Sequence, residues 1–181
     1  MEFSEVLTHE HEQIRRALNV LRLVIDQMRR GLFVDVHNVN AVLLFLNSYG
    51  DRCHQAKEES ILFPALQQAL HDQSDCRVDL EALIAEHREE CNLIEKTQIA
   101  LFTDDSNFVK HACKLIDLVS EHISREERMV FPIMEQILTE SQTDDIGARM
   151  LEADANFGEC QITLLMDMLR QVEQQFGLKA A

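Results

Sequence analysis

Two segments of this chain are near copies of each other, "HQAKEESILFP" at residues 54–64 and "HISREERMVFP" at residues 122–132, and between them they hold both of its prolines. Residues four apart on an α-helix lie about 40° apart around its axis. His54 and Glu58 therefore share a face, as do His122 and Glu126. Ile61 or Leu62, and Met129 or Val130, continue those faces with apolar residues. A histidine and a carboxylate on a core-facing stripe are costly unless they have partners. Proline cannot donate an amide hydrogen and clashes with the preceding turn, so each helix should kink or end at Phe63-Pro64 and Phe131-Pro132. The repeat describes two long helices, each aiming a His and a Glu inward.

The rest of the chain reads as helix as well. Leu7, His11, Ile14, Leu18, Leu21, Ile25 and Met28 step by four and three, the inward stripe of a bundle helix that Gly31 stops. A second helix should start near Asn38 or Asn40 and carry the first repeat to about Leu70. "HDQSDCRVD" reads as a loop, after which Asp79 caps a third helix through about Phe102. "TDDSN" is the next turn, and a fourth helix runs from about Asn107 to Leu138. "TESQTDD" breaks the chain again before a fifth helix from about Asp145 to Phe176. With five Gly and two Pro in 181 residues, turn punctuation is too scarce for a strand-rich fold. The fold class is all-α.

Charge and cysteine usage exclude whole classes of function. A net charge of −15 repels nucleic acid and anionic membrane surfaces. No apolar run approaches the roughly 20 residues of a membrane span. Five cysteines without a CxxC pattern suit reduced thiols, and a cytoplasmic location is expected.

Two more histidines point inward on the helices that precede the repeats: His11 in "EHEQI", and His87 in "EHREE" on a face with Leu80, Ile84, Cys91 and Ile94. Two helix pairs, each supplying one His and then a His and a Glu, bring four His and two Glu together in a four-helix bundle. That is a ligand set for two metals, two imidazoles on each and both carboxylates bridging. Glu59 and Glu127 lie about 140° from their histidines and should be solvated or placed behind the ligands. Ferritin-like centres use Glu-x-x-His pairs, which are missing here, and structural zinc favours Cys/His sets in small folds.

"EHEQI", "HQAKEESILFP", "EHREE" and "HISREERMVFP", in that order over residues 3–138, resemble the hemerythrin-like HHE cation-binding domains. The resemblance implies an up-down-up-down four-helix bundle, here with an additional C-terminal helix. It also implies a non-haem centre of two iron ions per chain, oxo- or hydroxo-bridged. Carried over by position, its metal ligands are His11, His54, Glu58, His87, His122 and Glu126. Oxygen-carrying relatives place a carboxylate at the longer spacing on their last ligand helix, which keeps Glu127 open as an alternative bridge. Many relatives have a histidine where Gln55 stands, about 100° off the ligand face. Oxygen carriers have a fifth histidine where Cys91 stands, so more open coordination is expected here.

On this division residues 1–138 form the bundle, and residues 139–181 form a helical extension of the same domain. The apolar face of its "FGECQITLLMDMLRQVEQQF" could close over the bundle or pair with a second copy as a homodimer. The expected function is binding or sensing of O2, NO or peroxide. The alternative is a redox enzyme that removes peroxide or NO, or an iron donor in repair of damaged iron-sulfur clusters.

Overall fold

The structure, a computed structural model, describes residues 3–71 and 78–178. Most of the loop expected at residues 71–79, with Cys76, lies outside the described residues, as do the two chain ends. Among the described residues all regular structure is helical, and no helix is long and apolar enough to cross a membrane.

Helix α1 (Phe3–Arg29) ends as its sequence demands. Gly31 adopts φ +66°, so that its N–H reaches Met28 O at 3.0 Å and the Leu32 N–H reaches Gln27 O at 3.0 Å. This left-handed turn satisfies carbonyls that the helix itself leaves open. Helix α2 (Val36–Phe45) begins two residues before the expected Asn38, because the Asp35 side chain accepts from His37 N and caps it. Asp79 caps α4 (Leu80–Leu101), as the sequence suggests. Asp104, within the expected turn, caps α5 (Asp105–Arg125).

The prolines do not end their helices. Each is preceded by a widened turn, π2 (Glu58–Leu62) before α3 (Phe63–His71) and π3 (Glu126–Val130) before α6 (Phe131–Ile137). Phe63 N bonds to Glu58 O and Phe131 N to Glu126 O, five residues back rather than four. The wider turn gives each proline ring room beside the carbonyl four residues earlier. Pro64 cannot donate to Ser60 O, and Arg149 does so instead at 3.3 Å. A third such stretch, π1 (Leu46–Gln55), joins α2 to the first repeat.

The expected fifth helix is two helices. "TESQTDD" starts one rather than breaking the chain, because Thr139 and Gln142 form a reciprocal cap on α7 (Glu140–Phe157). The break falls at Gly158, φ +108°, before α8 (Glu159–Gln175). The α8 face with Leu165, Leu169 and Val172 is buried in the main core, so it closes over the bundle.

Buried apolar residues fall into two clusters. One takes Ile14 to Ile25, Val39 to Cys53, Leu93 to Leu101 and Phe108 to Ile123, with α8. The other takes Phe3, Leu7, Ile61 to Leu66, Leu83 and Val130 to Met134, with Ile146 and Met150 of α7. On all four long helical passes the residues at the join are polar: His11, His54 and Glu58, His87 and Glu90, His122 and Glu126, all buried. A polar layer between two apolar plugs is where the site lies.

Candidate metal centre

Each repeat, laid on its widened turn, places three groups. Glu58 and Glu126 point to the middle of the layer and are fully buried. The next residues, Glu59 and Glu127, reach sideways to a histidine of a neighbouring helix, Glu59 to His87 Nδ1 at 2.7 Å and Glu127 to His11 Nδ1 at 3.0 Å. A turn of more residues rotates less per residue, so the second glutamate stays near enough to the inward one to reach a ring at the edge of the layer. Phe63 and Phe131 stack on those same two rings, His87 at 5.8 Å and His11 at 5.6 Å between centroids.

The helices without a repeat answer in kind. Glu10, just before His11, lies 2.9 Å from His54 Nδ1, and Glu86, just before His87, lies 2.8 Å from His122 Nδ1. The four pairs close a ring, since each helical pass supplies a carboxylate to the histidine of the next. With Nδ1–H donated outward, each imidazole turns its Nε2 to the centre, where those of His87 and His122 share a hydrogen at 3.0 Å in the metal-free protein. The sequence reading gave Glu10 and Glu86 no part, and expected solvation or a place behind the ligands for Glu59 and Glu127. The doublets "EH" and "EE" were the available signal.

At the middle, His11 Nε2 lies 3.3 Å from Glu126, and His122 Nε2 lies 3.2 Å from it. His54 Nε2 lies 3.4 Å and His87 Nε2 3.5 Å from Glu58. His11, His54, Glu58 and Glu126 each offer one atom, all within 4.8 Å of one another, and so do Glu58, His87, His122 and Glu126. These are two groups that could each hold a metal ion, and they share both carboxylates. Both oxygens of Glu58 and Glu126, with His11 Nε2, have no hydrogen-bond partner although they are fully buried. Buried acceptors without donors are costly, and cations would satisfy them. Imidazole and carboxylate suit iron, manganese or zinc, so the residues fit a metal-binding role.

Charge is arranged to match. Burial, then the nearby Glu126, raises the Glu58 carboxyl well above its ordinary range. Burial also opposes the Glu126 charge, but His11 and His122 outweigh it and hold that group down. Burial pushes His54 down to about 4. His122 rises to about 9, since Glu126 and Glu86 overcome its burial. A metal must displace such protons, so binding should release them.

The outer carboxylates are themselves held. Arg15 clamps Glu127 with contacts of 2.9 and 2.6 Å, Arg125 pairs with Glu86, and buried Lys57 bridges Glu10 to Asp154 of α7. Glu173 of α8 receives Arg16 at 2.8 Å. Cys91, placed by the sequence on the inward face of its helix, is only half-buried, and burial, with Asp51 nearby, pushes its thiol up to about 12. The side chain that turns inward there is Glu90, which accepts a 2.7 Å bond from buried Gln55. Tyr49 stacks on Phe45 at 5.0 Å.

A family model described as the hemerythrin HHE cation binding domain matches residues 2–134. Neither a curated protein nor a solved structure matches the chain. The family match covers well over half of the 181 residues, so the chain belongs to the hemerythrin HHE cation-binding family.

Proposed function

Given that membership, we propose that the protein is a di-iron protein whose centre binds and reports on a small ligand, O2, NO or peroxide. His11 and His54 would hold one ion and His87 and His122 the other, with Glu58 and Glu126 available to both. The observation that carries this reading is the sharing itself: two four-residue groups have the same two carboxylates, and no hydrogen bond otherwise satisfies those carboxylates. Four helical passes that alternate between the two apolar clusters support an up-down-up-down bundle. Residues 139–178 belong to the same unit, since α7 packs into one cluster and α8 into the other. The four described cysteines are free thiols, which supports a reducing, cytoplasmic setting.

Iron, when bound, supplies redox change and open coordination positions. The chain's part is to hold four imidazoles in one tautomer, to exclude bulk water with two apolar plugs, and to pass on a change of charge. Sensing is favoured over turnover by the Glu10–Lys57–Asp154 chain, which ties His54 to α7. The iron-loaded protein should be titrated anaerobically with O2, NO and peroxide in turn. The expected result is a spectral change with one ligand and altered hydrogen exchange in α7 and α8. Rapid turnover of NO or peroxide without any change in α7 and α8 would favour the enzyme.

A further inference from the structure

The α1–α2 and α4–α5 turns meet at a concavity of about 650 Å³ that no residue of the metal groups lines. Its apolar walls are Met28, Leu32, Val34, Val36, Leu101 and Val109. Phe33 stands at its rim and is 89% exposed, and Phe102, beside the wall residue Leu101, is 62% exposed. An apolar cavity of about 150 Å³ already holds a benzene ring, so the concavity has room for a phenyl group. Phe33 of the same chain, at that exposure, does not fill it. Exposed apolar surface gathered in one place marks an interaction site.

The charges at the concavity say what it fits. Arg29 and Asp105 also line it. Among the described residues neither is in an ion pair: Arg29 reaches the Cys113 thiol at 3.6 Å, whereas the adjacent Arg30 is held by Asp26. A protruding ring beside a hollow, and a cation beside an anion, form a self-complementary set in which a two-fold rotation brings each feature to its opposite. A net charge of −15 opposes contact between two copies elsewhere, so association needs a patch whose own charges balance. The apolar face of α8, which the sequence offered for pairing, is already buried in the main core.

We propose that the protein forms a two-fold homodimer through this patch, with Phe33 of each copy seated in the concavity of the other and Arg29 set against the Asp105 of the other copy. The inference goes beyond the metal reading and does not depend on it. Helix α1 runs from the patch to His11, and α2 runs from it through π1 to His54, so continuous helix connects the interface to a ligand histidine on each path.

Sedimentation of the full-length protein over a range of concentrations tests the proposal. The parent should dimerise with a Kd of about 10 μM or tighter, as interfaces of standard size do. Phe33→Asp, at a residue too exposed to matter for folding, should raise the Kd at least about thirtyfold, the effect of losing an interface anchor. Arg29→Asp alone and Asp105→Arg alone each set like charges face to face and should each weaken the dimer about tenfold. The two together restore opposite charges and should return to within about threefold of the parent. Leu164→Asp, on the exposed side of α8, should leave the dimer intact. Helicity by circular dichroism should be the same in every variant. A parent still monomeric at about 100 μM, an unchanged Kd in Phe33→Asp, or a double variant no tighter than the single ones would each overturn the proposal. Dissociation by Leu164→Asp and not by Phe33→Asp would move the interface to the C-terminal helix and overturn it too.

Discussion

His54 and His87 each give the Nδ1 hydrogen to a glutamate, Glu10 for one and Glu59 for the other. Glu10 is buried against Lys57 and through it reaches Asp154 of α7. The Glu59 side chain is 43% exposed. The difference lies in that pair, because Arg15–Glu127 behind His11 and Arg125–Glu86 behind His122 are alike in exposure. Behind His11 and His54 stand Arg15 and Lys57, and the C-terminal helices meet the bundle on that side through Asp154 and Glu173. Behind His87 and His122 stand the exposed Glu59, the Arg125–Glu86 pair and, in the core, Glu90. One repeated sequence thus builds two alike inner sets, and the rest of the chain buries the support of His54 and ties it to α7 while that of His87 stays nearer solvent.

The largest effect should ignore this difference. Glu58→Ala or Glu126→Ala removes a carboxylate common to both groups, so each should empty both positions by metal analysis. A variant that keeps one ion at full occupancy would mean that the carboxylates are not shared. If Glu127→Ala empties the centre and Glu126→Ala does not, the bridge lies at the longer spacing.

A smaller effect should split the halves. Glu10→Gln should weaken metal binding by about 10–100-fold, the usual cost of losing a carboxylate behind a ligand histidine. Glu59→Gln, at an exposed carboxylate, should cost less than about tenfold. Competition against a chelator measures both, and equal losses would erase the comparison.

Acidity offers a third handle. In metal-depleted protein His122 has its pKa raised to about 9 from an ordinary 6.5. Its protonation therefore stabilises the fold fully below about 6.5, and that contribution is lost as pH rises to about 9. Metal affinity should rise across the same window, because the proton competes for the ring. Denaturant melts of the metal-depleted protein and metal titrations at several pH values should move in opposite directions. His122→Gln should flatten the trend of the melts.

The smallest effect belongs to Cys91. Because it is only half-buried while Glu90 takes the inward place, Cys91→His should leave the iron spectrum unchanged and alter stability by less than about 1 kcal/mol. A changed spectrum would put residue 91 back beside the metal.

Much of this was legible in the sequence, for identifiable reasons. His11, His54, Glu58, His87, His122 and Glu126 follow α-helical spacing closely enough that periodicity alone places them on inward faces. The ring of carboxylates was legible only in part: a place behind the ligands was open to Glu59 and Glu127, whereas Glu10 and Glu86 serve histidines of the following helix, which spacing within one helix cannot show. In a regular helix Glu59 and Glu127 rotate away from the core, and here they sit on widened turns at its edge, each reaching a histidine of a neighbouring helix. Cys91 was assigned the inward place because it stands four residues past His87, yet Glu90, three residues past, takes it. Spacings of three and four are equivalent in a sequence pattern, and the partner that decides between them, Gln55, lies on another helix. The split of the C-terminal extension at Gly158 was hidden by an apolar pattern that continues across the glycine.

The central claim is that two metals share one pair of carboxylates. Metal analysis of protein loaded with iron under anaerobic conditions, combined with Mössbauer spectroscopy of the oxidised form, tests it most directly. The expected result is about two iron ions per chain, magnetically coupled through shared ligands. One ion per chain, or two without coupling, in protein of normal helicity would contradict it.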